Sequence, residues 1–260
     1  MPYIIKAPVI SNEPVTANTM RLILRAPEIA AECRPGQFVN ISAWGETYDP
    51  LLKRPFSICD ADKRTGQIVI IYNVVGKGTR ILASQKDSCD LVGPLGNGFP
   101  VTADDSLNLL IGGGAGCAPM KLLETAIGEA GGKSRVICGF GTAAQNYADA
   151  LFDSPIISTD DGTCGVRGFV TGPAEQCIRD HAEGPVRLCV CGPTPMMKAV
   201  CALAAGFEQV TEVWVSLENV MACGIGVCTG CVCKLKSPEG FEYKRVCKDG
   251  PVFRGEDVIW

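Results

Sequence analysis

The chain has 260 residues, of which 47% are hydrophobic and 20% are charged, a composition typical of a folded globular protein. Its 24 lysines and arginines stand against 28 aspartates and glutamates, and the formal net charge of −4 excludes a broad basic surface for nucleic acid or anionic membranes. The longest uncharged runs, residues 106–120 and 219–233, contain glycines and are shorter than the roughly 20 apolar residues of a membrane span, so we predict none.

Residues 1–102 contain short apolar runs separated by clusters of Pro, Gly, Asn and Asp, a pattern typical of an antiparallel barrel or sandwich. The expected strands are residues 3–6, 20–24, 38–42, 55–59, 68–73 and 89–92. There is little room between them for long helices.

Two motifs inside this region point to a flavin. The strand motif RPFS at residues 54–57 offers the Arg54 guanidinium for a pyrophosphate, and a Ser57 hydroxyl or a backbone N–H for the edge of a flavin ring. The glycine-rich turn GKGT at residues 76–79 leads into a helix, whose first N–H groups would face the same phosphates. Each motif alone is weak, but the two in this order predict an FAD-binding β-barrel domain.

Between residues 103 and 217, strands alternate with helices, which predicts a doubly wound parallel sheet with right-handed crossovers. The expected strands are residues 107–111, 135–138, 155–158, 186–190 and 212–216. Helices are expected over residues 120–127, 146–152 and 197–204.

This α/β region carries two candidate dinucleotide segments. GGGAGCAPM at residues 112–120 follows a strand and opens a helix, although it is not a strict G-x-G-x-x-G fingerprint. Cys191-Gly192-Pro193 ends the fourth strand, where open α/β sheets bind ligands, so Cys191 is either a neighbour of the nicotinamide or only a turn residue. The candidate NAD-binding residues are Gly112, Gly113, Gly114, Gly116, Cys191 and Gly192.

The same region weakly favours NAD(H) over NADP(H), because a 2′-phosphate needs cationic partners. Residues 139–146 contain no Arg or Lys, and Asp160-Asp161 follow the third strand. Arg167 and Arg179 lie further along the chain and weaken this interpretation.

The 15 cysteines are the unusual feature of the composition. Because the N-terminal residues show no charged stretch followed by an apolar one, we expect no secretory signal and a cytoplasmic location. Disulfides are rare there, so some cysteines are expected to be metal ligands or redox groups. The single histidine, His181, lies in a charged stretch and is expected at the surface, so a histidine-based site is disfavoured.

Residues 218–260 gather cysteines in a glycine-rich stretch, CGIGVCTGCVC, before a last cysteine in KRVCKDG. The C-x4-C-x2-C…C spacing is typical of plant-type [2Fe–2S] proteins, and Gly224, Gly226 and Gly230 would allow the loop to curve around a cluster. Bound metal would also organise a segment too short to fold by apolar burial alone. The predicted ligands are Cys223, Cys228, Cys231 and Cys247.

Two questions stay open at this stage. A structural zinc site usually takes paired C-x2–4-C knuckles, and here there is one knuckle with an outlying cysteine on each side, which favours iron–sulfur. Cys233 is either a rival ligand or, as we favour, a packed thiol.

The three modules in this order resemble the ferredoxin-reductase superfamily with an iron–sulfur tail. Over essentially its full length, the chain resembles the electron-transfer subunits of class B (NAD-dependent) dihydroorotate dehydrogenase, with the specific match in VSLENVMACGIGVCTGCVCK and RVCKDGPVF. By this resemblance the four cysteines would bind a [2Fe–2S] cluster. FAD would be lined by Arg54, Pro55, Phe56, Ser57, Ile71, Tyr72, Asn73, Gly78 and Thr79.

The resemblance also implies a partner subunit that carries FMN and the dihydroorotate site, usually in a heterotetramer of two chains each. Electrons would pass from that FMN through [2Fe–2S] and FAD to NAD⁺ in de novo pyrimidine (UMP) biosynthesis. No side chain need act as an acid or base, so no catalytic residue is predicted. The expected domains are residues 1–102 for FAD, 103–217 for NAD and 218–260 for the cluster.

Two alternative functions remain. The flavin subunit of NADH-dependent ferredoxin:NADP⁺ oxidoreductases, also called sulfide dehydrogenase, shares the order of modules, but its first cluster ligand is typically Asp, whereas this chain has Cys223. The other alternative is a non-enzymatic zinc-binding structural module. The basic residues that flank the cysteines either steer a partner or are simply solvated: Lys234, Lys244, Lys248 and Arg254.

Overall fold

The protein is described here by a computed structural model covering residues 1–182 and 184–260. Its first part is an antiparallel sheet that curls into a half-barrel, with the strand order β4-β3-β7-β1-β2-β6-β5. The strands are β1 (Tyr3–Pro14), β2 (Thr19–Arg25), β3 (Phe38–Ser42), β4 (Arg54–Ser57), β5 (Asp60–Asp62), β6 (Gln67–Asn73) and β7 (Ser88–Leu95). Two helices accompany them, α1 (Pro27–Glu32) and α2 (Lys77–Ser84).

Alternating burial along these strands builds the half-barrel core. In β7 every second side chain is buried, as expected when one face of a strand meets a core. The buried residues include Leu22, Leu24, Ile68, Ile70 and Leu91. All six expected strands are present, whereas β5 is short and polar and was not foreseen. The helix α1, which begins with a proline at its first turn, was not foreseen either.

The second part is a mainly parallel sheet with the strand order β11-β10-β9-β8-β12-β13-β16. Its elements in the chain are β8 (Leu107–Gly113), α3 (Pro119–Glu129), β9 (Lys133–Phe140), β10 (Ile156–Thr159), β11 (Val166–Arg167), α4 (Thr171–Asp180), β12 (Val186–Cys191), α5 (Thr194–Ala204) and β13 (Val210–Ser216). Every residue of β12 is buried, because helices cover both faces of a parallel sheet.

The helix expected over residues 146–152 is wrong. This stretch forms two short 3₁₀ turns, Ala143–Gln145 and Ala148–Ala150. The Asn146 side chain accepts the N–H of Ala148 at 2.9 Å and donates to Asp149 at 2.7 Å, and such local bonds compete with helix formation. The structure also forms α4, which was not expected from the sequence and which has Gly172 in its first turn.

The last part of the chain forms a hairpin of β14 (Val232–Ser237) and β15 (Gly240–Arg245), followed by β16 (Val252–Arg254). Strand β16 pairs antiparallel with β13, so the end of the chain extends the parallel sheet. Asn97, just after β7, binds this segment: its side chain donates to the carbonyls of Asp249 and Val252 and accepts the Val252 N–H at 3.0 Å.

One of the hydrophobic clusters draws on all three parts of the chain. Phe38 of the half-barrel packs in the same cluster of buried residues as Val190 of the parallel sheet and Cys231 and Cys247 of the last segment. Their relative positions are therefore held by apolar packing. Among the described residues, no helix is long and apolar enough to cross a membrane.

Candidate functional site

A cavity of about 420 Å³ lies where the half-barrel, the parallel sheet and the last segment meet. All nine residues expected to contact FAD line it, and these come from β4, β6 and the start of α2: Arg54, Pro55, Phe56, Ser57, Ile71, Tyr72, Asn73, Gly78 and Thr79. We call this space the flavin cavity. The cavity is also lined by residues that sequence reasoning missed, among them Phe38, Glu218, Met221 and Pro251.

One end of the flavin cavity is suited to phosphates. The Arg54 guanidinium lies over the Trp44 ring at 5.5 Å from its centroid, beside the first turn of α2. A Cβ added to Gly78 would lie 3.2 Å from the Trp44 ring and 3.5 Å from Arg54 Nε, so glycine lets these groups approach the helix N-terminus. A guanidinium and unpaired N–H groups converging at a helix start make an anion site.

Two predicted residues of this cavity are also structural. The Thr79 hydroxyl accepts the N–H groups of Val75 and Gly76, both at 3.0 Å, and thereby holds the turn that starts α2. The Tyr72 hydroxyl donates to the buried Asn12 side chain at 3.1 Å, and its ring lies 5.4 Å from that of Phe56. These contacts fix the positions of two aromatic side chains that border the flavin cavity.

A larger cavity of about 940 Å³ opens at the carboxyl ends of the parallel strands, where α/β sheets bind ligands. Gly113 and Gly114 line this nucleotide cavity, together with residues that follow β9, β10 and β12. Asp160 is the one charged side chain among its described lining residues. Arg167 and Arg179 do not line it, and Arg179 pairs with Glu175 at 2.6 Å.

The other candidate NAD residues lie elsewhere. A Cβ on Gly112 would overlap the Cys117 backbone, and one on Gly116 would overlap the carbonyl of Cys191, so these two glycines make room for neighbouring chain. A Cβ on Gly192 would meet Met196 at 2.8 Å. Cys191 itself is buried and lines the flavin cavity, and burial raises the pKa of its thiol to about 12.

Asn73 and Val75 line both cavities. The end of strand β12 also contributes to both cavities. Cys191 lines the flavin cavity, and Pro193, which follows the strand, lines the nucleotide cavity. A nicotinamide entering from the nucleotide cavity would therefore meet a flavin ring at this shared boundary.

The four cysteines predicted as ligands form two pairs. The Cys228 N–H donates to the Cys223 sulfur at 3.4 Å, and the Cys247 N–H donates to the Cys231 sulfur at 3.3 Å. Cys231 and Cys247 are buried, Cys223 is half-buried and Cys228 is exposed. Within residues 1–182 and 184–260, no three or more His, Cys, Asp or Glu side chains gather as one metal-binding group.

The loop around Cys223 favours a thiolate. Although burial opposes it, the N–H groups of Ile225, Cys228 and Val227 lower the pKa of the Cys223 thiol to about 6. The loop achieves this with left-handed backbone at Gly224, Gly226 and Thr229, whose φ angles are 68°, 86° and 53°. The third such position was expected at Gly230, and it falls on Thr229 instead.

Arg245, which sequence reasoning did not identify, connects the two cysteine pairs. Its guanidinium donates to the Gly226 carbonyl at 2.8 Å and to both oxygens of Asp249, at 3.0 and 3.1 Å. One side chain thus joins the loop of Cys223 to the turn that carries Cys247.

Other residues flanking the cysteines have structural contacts. Cys233 packs against the shared core, and burial raises the pKa of its thiol. Lys234 lies over the rings of Phe241 and Tyr243, at 4.6 and 5.8 Å. Lys244 and Arg254 pair with Glu242 and Glu256, at 2.7 and 2.8 Å.

Comparison with known proteins places these features in context. Residues 218–259 match the family model described as the iron–sulfur cluster binding domain of dihydroorotate dehydrogenase B. Two relatives are both named dihydroorotate dehydrogenase B (NAD(+)), electron transfer subunit. The one from Geobacillus thermodenitrificans is 39% identical over 258 residues, 96% of each chain. The one from Fusobacterium nucleatum is 37% identical over 255 residues, 95% of each chain.

Solved structures agree with the fold. An NADH-dependent reduced ferredoxin-NADP oxidoreductase structure superposes with a TM-score of 0.84 and 30% identity, over 98% of this chain and 90% of that one. Phthalate dioxygenase reductase, at 15% identity and a TM-score of 0.61, covers 94% of this chain and 77% of its own and shares the fold.

Proposed function

The chain belongs to the family of dihydroorotate dehydrogenase B electron transfer subunits. From this we propose that its residues hold the cofactors that carry electrons between a catalytic partner and NAD(H). The observation that supports the proposal most is the position of the flavin cavity. It shares Asn73 and Val75 with the nucleotide cavity, and Met221 and Pro251 of the cysteine segment also line it. A flavin bound there would lie between the two other redox groups.

FAD is proposed to bind in the flavin cavity. Arg54 and the start of α2 would bind the pyrophosphate, and the strand segments around Phe56 and Tyr72 would hold the ring system. When bound, a flavin exchanges two electrons with a nicotinamide and single electrons with an iron–sulfur cluster. The chain's own contribution is to hold these groups in order, and no acid or base among its side chains is required.

A [2Fe–2S] cluster fits the four proposed ligands. Cys223, Cys228, Cys231 and Cys247 form two pairs, which suits a cluster whose two irons each take two thiolates. The N–H groups directed at Cys223 stabilise negative charge on sulfur. A structural zinc site usually takes paired C-x2–4-C knuckles, whereas this chain has one knuckle with an outlying cysteine on each side.

The nucleotide cavity is proposed to bind NAD(H). Gly113 and Gly114 bring the start of the α3 segment to the pyrophosphate, and Asp160 would face the adenine ribose. A carboxylate there accepts ribose hydroxyls and repels a 2′-phosphate. We therefore propose that NADH is preferred over NADPH.

The partner is proposed to bind at the exposed side of the cysteine segment. Cys228 is exposed, and in the same loop Val220 and Val227 are 82% and 76% exposed. Large apolar side chains around a redox ligand are typical of a docking surface. The partner would carry FMN and the dihydroorotate site in a heterotetramer of two chains each. Lys248, which packs on Gly226, remains the proposed steering cation.

The composition of the purified chain tests the proposal. After anaerobic purification, we expect one FAD and about two irons per chain, with a brown-yellow absorbance spectrum. Zinc without iron would favour the structural zinc module. Reduction of ferredoxin with NADH, without binding to an FMN-containing catalytic subunit, would favour the ferredoxin oxidoreductase alternative. Native mass measurement of the reconstituted complex tests the two-by-two stoichiometry.

A further inference from the structure

Asn40 lies between the flavin strand and the cysteine loop. In β3 it pairs with Pro55 of β4, within the proposed FAD-binding motif. Its neighbours Val39 and Ile41 are fully buried in the half-barrel core, so the alternation of a strand directs Asn40 to the opposite face. There it is only 2% exposed.

The Asn40 amide meets the cysteine loop at Gly224. A Cβ built on Gly224 would overlap the Asn40 amide nitrogen and lie 2.9 Å from its Cγ. Gly224 also has a φ of 68°, which L side chains rarely adopt. Glycine at this position therefore permits the residue next to Cys223 to lie directly against the amide.

The Asn40 amide has an unpaired hydrogen-bond acceptor. Its Oδ1 atom is buried, and it has no hydrogen-bond partner among the residues that the structure describes. Buried polar side-chain atoms are ordinarily paired, and leaving one unpaired costs stability. A leucine would fill similar space at lower cost, so packing alone does not account for an asparagine here.

We propose that Asn40 is a positioning residue for the cluster. Its amide nitrogen, the Asn40 atom nearest Gly224, holds the Cys223–Gly224 corner at a set distance from the flavin strand and directs its N–H dipoles toward that corner. The inference rests on the proposed [2Fe–2S] site. Because hydrogen bonds to sulfur stabilise the added negative charge of a reduced cluster, Asn40 raises the reduction potential.

The first test is Asn40→Leu, which keeps the volume and removes the amide. The readout is the cluster midpoint potential, from redox titration of the purified chain followed by electron paramagnetic resonance, with the visible circular dichroism of the cluster. We expect iron and FAD contents like those of the unsubstituted chain and a more negative potential. Asn108→Ser, another fully buried asparagine, in β8 and bonded to the Lys133 carbonyl, is the control and should leave the potential unchanged.

A second test covers the case in which Asn40→Leu does not fold. Gly224→Ala should reduce the iron content several-fold because the new methyl collides with the amide. In the double variant Asn40→Ala/Gly224→Ala, part of that iron should return, since the collision is removed and only the backbone strain remains.

The outcomes distinguish loss of the cluster site from loss of the role of Asn40. An unsubstituted chain without iron would overturn the proposed cluster and this inference with it. A chain that binds its cluster, but whose potential is the same with Asn40→Leu, would overturn the role of Asn40 alone. Full iron loading by Gly224→Ala would contradict the close contact.

Discussion

The backbone N–H of Cys247 donates to the sulfur of Cys231 across 3.3 Å, joining two residues that are 16 positions apart. This contact brings the outlying cysteine of the motif to the end of the C-x4-C-x2-C loop. It makes an inner, buried pair, whereas Cys223 and Cys228 form the outer pair.

Replacing an outer ligand should remove the cluster and leave the flavin. For Cys228→Ser we expect loss of most iron and of the cluster absorbance, since a serine oxygen is a poor substitute for a thiolate in such a site. The FAD content should be unchanged, because none of the four cysteines lines the flavin cavity. Iron and flavin analysis of the purified variant measures both.

Cys233→Ser is the matched control. Cys233 lies two positions from Cys231 and packs against the core, so its replacement should retain the iron. If Cys233→Ser loses iron and Cys228→Ser retains it, the ligand assignment is wrong.

Arg54 should be needed for tight flavin binding. A guanidinium paired with phosphate contributes roughly 1.5–3 kcal/mol, so Arg54→Ala should weaken FAD binding by about ten- to a hundredfold. Arg54→Lys should recover part of the FAD affinity, because lysine keeps the positive charge. The recovery should be incomplete, because lysine lacks the two parallel N–H donors of the guanidinium. The dissociation constant, from titration of the apoprotein with FAD, gives the answer.

The comparison variant is Arg64→Ala, an exposed arginine near Asp62 on the same half-barrel. It should bind FAD like the unsubstituted chain. Equal affinity in Arg54→Ala would show that Arg54 is only a strand residue.

Asp160 should set the choice of nucleotide. Its N–H donates to the Phe140 carbonyl at 3.0 Å, which holds it beside the end of β9 in the nucleotide cavity. We expect kcat/KM for NADH to exceed that for NADPH by at least about tenfold, equivalent to 1.4 kcal/mol. Asp160→Asn should lower the ratio of kcat/KM for NADH to that for NADPH, mainly by raising kcat/KM for NADPH.

The exposed Asp153→Asn, away from the cavity, provides the control and should leave the ratio unchanged. Comparable efficiencies for NADH and NADPH in the unsubstituted chain would contradict the preference itself.

Glu212 should make stability depend on acid pH. It accepts hydrogen bonds from the Trp214 indole N–H at 2.9 Å and from the nearly buried Arg187 at 2.7 Å. Trp214 first, with burial opposing, and then Arg187 and Arg254 hold the Glu212 pKa below its ordinary 4.5. The resulting stability is fully present above pH 4.5 and is lost as the pH falls through the lowered pKa.

For Glu212→Gln, we expect a melting temperature a few degrees lower at pH 7, from about 1–2 kcal/mol after allowance for solvent exposure. The difference in melting temperature between the variant and the unsubstituted chain should disappear as the pH falls below 4.5. Scanning calorimetry from pH 7 to pH 3 measures it, with the exposed Glu208→Gln as control. A gap that stays constant with pH would contradict the linkage.

The parts of the site that the sequence predicted best are local. The cysteine spacing and the RPFS strand each place several groups within a few residues, so their chemistry is visible in the chain. The role of a glycine is harder to predict from the sequence. Gly112 lies against Cys117 and Gly116 lies against the Cys191 carbonyl, and these contacts form only when the chain has folded.

Residues that act across long separations could not be predicted. Asn40 meets Gly224, and Asn97 binds Asp249 and Val252, only because the last segment folds back on the half-barrel. Arg245 reaches Gly226 because the last segment folds back on itself. No local pattern encodes such packing. The unexpected helix α4 has a similar cause, since tertiary burial of Ala174, Cys177 and Ile178 outweighs the low helix propensity of Gly172.

The most direct test is a steady-state assay of dihydroorotate-dependent NAD⁺ reduction, with and without the FMN-containing catalytic subunit. The isolated chain should transfer electrons from NADH to an artificial acceptor, because its nucleotide and flavin cavities adjoin at Asn73 and Val75. It should not oxidise dihydroorotate until the partner is added, and Cys228→Ser should abolish the coupled reaction while retaining the NADH-dependent one. Full dihydroorotate oxidation by the isolated chain, or none with the partner present, would contradict the proposed function.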